Sequence, residues 1–131
     1  METGNHSQVR QPAVAGMFYP GNPSELAHEV RALLHATASQ TLRGDAPKAI
    51  VAPHAGYIYS GPTAACVYAC IAPAASRIRR VVLLGPTHRV AVDGLALPAA
   101  THFATPLGDI EIDRDAANLL ADMPQVGVSD L

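Results

Sequence analysis

The stretch "KAIVAPHAGYIYSG", Lys48 to Gly61, carries the pattern from which the fold class is read. Its first half, "KAIVAP", is a short apolar run without polar alternation, closed by Pro53. Such a run suits a strand buried on both faces of a parallel sheet, not one with a wet face. A second run of the same kind, "RRVVLLGP", spans Arg79 to Pro86 and is again closed by proline. Between the two lies "GPTAACVYACIA", a helical stretch with Pro62 in its expected first turn and Ser60 as its expected cap. Strand, helix and strand in this order make a right-handed crossover unit. The fold class read from this pattern is α/β, with a mostly parallel sheet. In such sheets ligands bind beyond the carboxyl ends of the strands. His54 follows the first run and His88 follows the second, in "GPTHRV", so both are expected there.

The remaining elements are read outward from that unit. "NPSELAHEVRALLHAT" has the strongest helix start in the chain. Asn22 is a good N-cap, Pro23 suits the first helical position, and Glu25 can complete a capping box. Leu26, Val30, Leu33 and Leu34 lie on one face, whereas His28 and His35 read as polar surface residues. Downstream, "LALP" is a third, shorter strand. "THFATPLGDIEID" reads as a hairpin or edge segment turning at Pro106 to Gly108. A last helix, "DRDAANLLADM", takes Asp113 as its cap. Residues 1–9 read as a flexible tail, and 10–131 as the folded region.

Composition excludes several classes of function. The chain has 131 residues, 49% of them apolar and 15% charged, with a net charge of −2, so it suits a globular domain and not a disordered segment. The basic footprint of a nucleic-acid binder is missing. Arg77, Arg79 and Arg80 are the one basic concentration and read as a solvated strand entrance. No apolar run reaches the ~20 residues that span a bilayer. The polar start "METGNHSQVRQ" lacks the apolar core of a signal peptide. A cytoplasmic protein without membrane or nucleic-acid partners is expected. Cys66 and Cys70 are four residues apart on one helix face and read as reduced, packed thiols.

His54 and His88 are the residues best placed for chemistry. Neutral imidazoles suit zinc, copper or iron, and either ring can also act as an acid or base. A triad of two histidines and one carboxylate would suit Fe(II), and three protein ligands with a water would suit zinc. Gly56 lets the backbone approach a ligand or take a positive φ. Tyr57 and Tyr59 offer hydroxyls, and the helix start after Ser60 offers amides to an anion. Asp93 and Asp109 read as turn residues, and His102 as structural or exposed. No Walker, dinucleotide or nucleophile-elbow pattern occurs, so no nucleotide cofactor is expected.

Three motifs in order, "RQPAVAGMFYP" (Arg10 to Pro20), "APHAGYIYSG" (Ala52 to Gly61) and "LLGPTHRV" (Leu83 to Val90), resemble the Memo family. Its animal members are named for a role in ErbB2-driven cell motility, and its bacterial and archaeal members are called AmmeMemoRadiSam system protein B. "TPLGDIEID" resembles the family as well. The resemblance implies a three-layer α/β/α sandwich related to class III extradiol ring-cleaving dioxygenases. It implies His54 and His88 as metal ligands, with Arg10 and Tyr57 beside the same pocket. It implies Fe(II) first and copper second as the metal, and a small molecule or a phosphorylated peptide as ligand. Phe18 and Thr87 stand where the family commonly has tryptophan and serine. Family members are longer, and their second half supplies a further histidine, a pocket cysteine and more strands. Neither Cys66 nor Cys70 matches that cysteine. The expectation is therefore a fragment, a truncated product or half of a shared site. Its sheet edge would be exposed and open to association.

Overall fold

A computed structural model describes residues 8–37 and 46–129. The first seven residues of the expected tail lie outside them. The chain is α/β, as its sequence pattern requires. It divides into two units, Ala13–Arg79 and Met1–Pro12 with Arg80–Leu131.

The first unit is built on helices. Helix α1, Pro23–Thr37, starts where the sequence indicates. Asn22 Oδ1 accepts from the Ser24 amide at 2.9 Å and the Glu25 amide at 3.2 Å, satisfying two otherwise orphaned donors. Such a cap contributes about 1 kcal/mol. Leu26 is buried, Val30, Leu33 and Leu34 are partly covered, and His28 and His35 are exposed. Helix α2, Tyr57–Ala69, packs on α1. Gly61 makes the approach close, because a Cβ there would meet Leu33 Cδ1 at 3.1 Å. A 3₁₀ helix, Ala72–Arg77, follows. Among the described residues of this unit, the buried apolar ones are Leu26, Ala65, Ala69 and Ala74. The core is thus made mostly of small side chains.

Helix α2 corrects the expected helix start. It begins at Tyr57, not after Ser60, so Ser60 and Pro62 lie inside it. Ser60 is buried, and its hydroxyl donates back to the carbonyls of Ala55 at 2.7 Å and Gly56 at 3.3 Å. Pro62 cannot donate to the Ile58 carbonyl one turn before it. Ile58 and Pro62 are both exposed, so that side of the helix faces solvent.

The second unit carries the strands. β1 (Val9–Arg10), β3 (His102–Thr105) and β4 (Gly108–Glu111) form one sheet in the order β1-β3-β4. β1 pairs with β3 in parallel, and β3 with β4 antiparallel. β2 (Leu95–Pro98) and β5 (Val126–Ser129) form a parallel pair, on which helix α3 (Arg114–Ala121) packs. Two of the three pairings are therefore parallel. Gln8 and Val9, expected in the tail, take part in the sheet, and the Gln8 carbonyl accepts from the Thr101 amide at 2.8 Å. The β3–β4 hairpin turns where Pro106 to Gly108 predict. Thr105 Oγ1 closes the turn by donating to the Gly108 carbonyl at 2.8 Å and accepting from the Leu107 amide at 3.1 Å. His102 is not at an edge: its strand is central, and its Nδ1 lies 3.0 Å from Thr101 Oγ1.

The two apolar runs that identified the fold class belong to no described strand. Val81, Val82, Leu83 and Leu84 are each 75–77% exposed, and Val51 is 92% exposed. An apolar run supplies surface for a parallel sheet, but pairing needs neighbours on either side. Among the described residues no strand pairs with these two runs.

Asp113 is the N-cap of α3, as expected, and accepts from the Ala116 amide at 2.9 Å. Its other oxygen accepts from Arg80 Nε at 2.6 Å, which ties one arginine of the basic cluster to the helix start. The Ala116 amide first, and Arg80 second, hold the Asp113 carboxyl below the usual carboxylate range. A depressed folded pKa means the stabilisation is present above the unfolded value and is lost as pH falls through the folded one. Wild-type melting temperature should therefore carry an acid-side decline below about pH 4, the ordinary aspartate value. Asp113→Asn keeps a cap oxygen and should flatten that component. An unchanged acid limb in Asp113→Asn would disprove the assignment.

Candidate functional site

The best-defined part of the site lies in the first unit, where two separate motifs meet. The Gly16 backbone turns "VAGMFY" with φ +79°, which lets its amide donate to the Tyr19 carbonyl at 2.8 Å. This turn presents the Phe18 carbonyl to the Tyr57 amide at 2.7 Å. The Tyr19 and Tyr57 rings lie 5.7 Å apart at 43°. The "HAGY" loop is thus clamped against the "GMFY" turn at the start of α2.

Gly56 has φ −55° and ψ 148°, so no positive φ is needed there. The loop packs on protein at this point: a Cβ would sit 3.4 Å from the Phe18 carbonyl oxygen and 3.5 Å from its Cα, ordinary contact distances that a small side chain could also meet. The anion reading of the helix start changes too. The start has moved to Tyr57, whose amide is already committed to Phe18.

Tyr57 is half-buried. Burial, and then Tyr19, Glu29 and Tyr68, push its hydroxyl above the ordinary phenol range. It therefore stays protonated near neutrality and is able to donate a hydrogen bond. Tyr19 and Glu29 shape this environment, and the residue-by-residue sequence reading missed both. Tyr19 was detectable as the aromatic of "FYP"; Glu29 carried no local signal. Tyr59, one position past Ile58, is 83% exposed.

His54 is exposed on the same loop, just before Tyr57. His88 is exposed after the Val81–Leu84 run in the second unit. Arg10 also belongs to the second unit. Its guanidinium lies 5.6 Å from the centre of the Phe103 ring, its register partner across β1 and β3. The four expected site residues are thus shared evenly between the units. Among the described residues, no three His, Cys, Asp or Glu side chains cluster so as to hold a metal ion. No helix among them is long and apolar enough to cross a membrane.

These features define an α/β protein with histidine-bearing loops after two apolar segments. A family model described as "Memo-like protein" matches residues 10–130, and the chain belongs to that family. It is 38% identical over 117 residues to a MEMO1 family protein of Aquifex aeolicus, covering 89% of this chain and 41% of the relative. It is 33% identical over 117 residues to one from Nitrosopumilus maritimus, covering 87% and 42%. It is 38% identical over 110 residues to Protein MEMO1 of Xenopus laevis, covering 84% and 35%. The chain therefore spans about two fifths or less of the length of these relatives.

Proposed function

We propose that this Memo-family chain contributes His54 and His88 as two imidazole ligands of a redox-active metal, iron first and copper second. The observation that supports this reading is the family match across residues 10–130, which includes both histidine loops. The donor chemistry fits: imidazole suits both metals. Two donors are fewer than a two-histidine, one-carboxylate triad requires. The reading therefore calls for a third ligand from outside the described residues.

Bound iron would supply a one-electron redox centre with open positions for ligand. Tyr57 would hold its proton and donate a hydrogen bond to a substrate oxygen. Arg10, fixed over Phe103, would hold an anionic substrate group. Oxygen-dependent or redox chemistry on a small molecule is the activity we assign to the whole protein. A phosphorylated peptide at the α2 start is the weaker alternative, because the Tyr57 amide is already bonded.

The test is anaerobic Fe(II) titration of wild type, His54→Ala and His88→Ala. Losing an outer-shell partner alone costs roughly 10–100-fold in metal affinity. Losing a direct ligand should cost at least as much, so each variant should bind at least about tenfold more weakly. Equal uptake by all three proteins would overturn the proposal.

A further inference from the structure

We infer that Tyr19 is a positioning residue for the proposed site: it acts through Tyr57, holding that ring where its hydroxyl can serve a ligand. The inference rests on the role given to Tyr57 above and on neither histidine. Its first support is the contact itself. The two rings lie 5.7 Å apart and are tilted by 43°, within the centroid separations that aromatic pairs favour. Both tyrosines are half-buried, whereas the residues beside them, Phe18 and Ile58, are exposed. Among the described residues no other two aromatic rings pair in this way.

The second support is the difference in how the two residues are held. Tyr19 belongs to a turn bonded within itself. Its carbonyl accepts from the Gly16 amide at 2.8 Å, and the Val14 carbonyl accepts from the amides of Met17 at 3.1 Å and Phe18 at 2.9 Å. Just beyond the turn, Asn22 caps α1. Tyr57 is the first residue of α2, an end that no side chain caps. Its amide donates to the Phe18 carbonyl at 2.7 Å, which fixes its backbone but leaves its ring free to turn about the side-chain bonds. The Tyr19 ring is what limits that turning. The consequence for a site is large, because a misplacement of about 1 Å can cost roughly 10²-fold in rate.

The Tyr57 hydroxyl reports the same contact. Burial first, and Tyr19 second, raise it above the ordinary phenol range, ahead of Glu29 on α1 and Tyr68 on α2. Loss of the Tyr19 side chain removes both cover and a neighbouring hydroxyl. The two changes act in one direction, towards easier ionisation of Tyr57.

The experiment is nuclear magnetic resonance of the metal-free chain, isotopically labelled in the rings of its four tyrosines. The Tyr57 signals are assigned by their loss in Tyr57→Phe. Tyr19→Leu removes the ring contact. It should move the Tyr57 ring signals towards those of the exposed Tyr59 and lower the midpoint of the Tyr57 hydroxyl titration. Tyr19→Phe keeps the ring and removes only the hydroxyl. It should restore the wild-type ring signals and lower the midpoint by less than Tyr19→Leu does. Phe18→Ala keeps the carbonyl that holds the Tyr57 amide and should leave the Tyr57 signals in place. Should Tyr19→Leu lose helical circular dichroism, the Tyr19→Phe midpoint decides alone, and a midpoint equal to wild type overturns the inference. Unchanged Tyr57 signals in a folded Tyr19→Leu overturn it too, as does an equal displacement in Phe18→Ala. No metal enters these measurements, so their failure is distinct from a failed Fe(II) titration, which overturns the metal reading alone.

Discussion

Gly94→Ala should destabilise the second unit by about 3 kcal/mol or more, the range of a strained backbone combined with a steric clash. Two independent effects add at this position. The φ of Gly94 is +85°, where an L-side chain costs roughly 1–2 kcal/mol. A Cβ built there would also fall inside the contact radius of the Gln125 carbonyl oxygen, which is backbone and cannot rotate away. That oxygen accepts from the Leu95 amide at 2.9 Å, the bond that leads into the β2–β5 ladder. Moving it would loosen the ladder from its first rung. The control is Gly127→Ala in β5, where φ is not positive and a Cβ would meet nothing within 4 Å. Urea midpoints should separate the two variants clearly. Hydrogen exchange should rise across Leu95–Pro98 and Val126–Ser129 in Gly94→Ala alone. Equal midpoints would show that the turn is not under this constraint.

Leu26→Ala should be nearly as damaging in the first unit, at about 2–5 kcal/mol. Leu26 is 4% exposed, and the other buried apolar residues among those described in that unit are alanines. Alanine at 26 removes the one large buried apolar side chain among the described residues of that unit and leaves a cavity in its place. Val30→Ala on the same helix removes less volume from a half-covered position and should cost about 1 kcal/mol. Thermal or urea unfolding followed by helical circular dichroism checks both. A cost below about 1 kcal/mol for Leu26→Ala would mean that this unit does not depend on the Leu26 side chain.

What was legible in the sequence was what a few neighbouring residues settle among themselves. Asn22 and Asp113 start helices because their own side chains accept from amides two or three residues on. Pro106 and Gly108 bound a hairpin turn because its closing bonds run within four residues. The start of α2 was misread for the opposite reason. No side chain caps it: Gly56 precedes it, and the first amide is taken by Phe18, far away in sequence. Ser60 looked like a cap because serine hydroxyls bond backbone, and it does bond backbone, but from inside the helix. His102 was placed at an edge because β1 is only two residues long and carries little strand signal. The partner that makes β3 central straddles the boundary between the expected tail and the folded region, with Val9 in the tail and Arg10 just beyond it.

The candidate site divides along the same line. Sequence order alone placed His54 and His88 after apolar, proline-closed segments, and the three motifs carried the family. The bonding of Tyr57 to Phe18, the raised Tyr57 hydroxyl and the Arg10–Phe103 contact came from pairs distant in the chain.

The amino-acid sequence by itself determined the α/β class, the caps of α1 and α3, the β3–β4 turn and membership of the Memo family. Each rests on local side-chain chemistry or on residue identity in order. Only the tertiary structure decided where α2 begins, which strands pair, and that "KAIVAP" and "RRVVLLGP" lie outside the described sheets. Apolar character makes a segment able to join a parallel sheet, but strand hydrogen bonds are made by a neighbour, and no residue encodes its neighbour's presence.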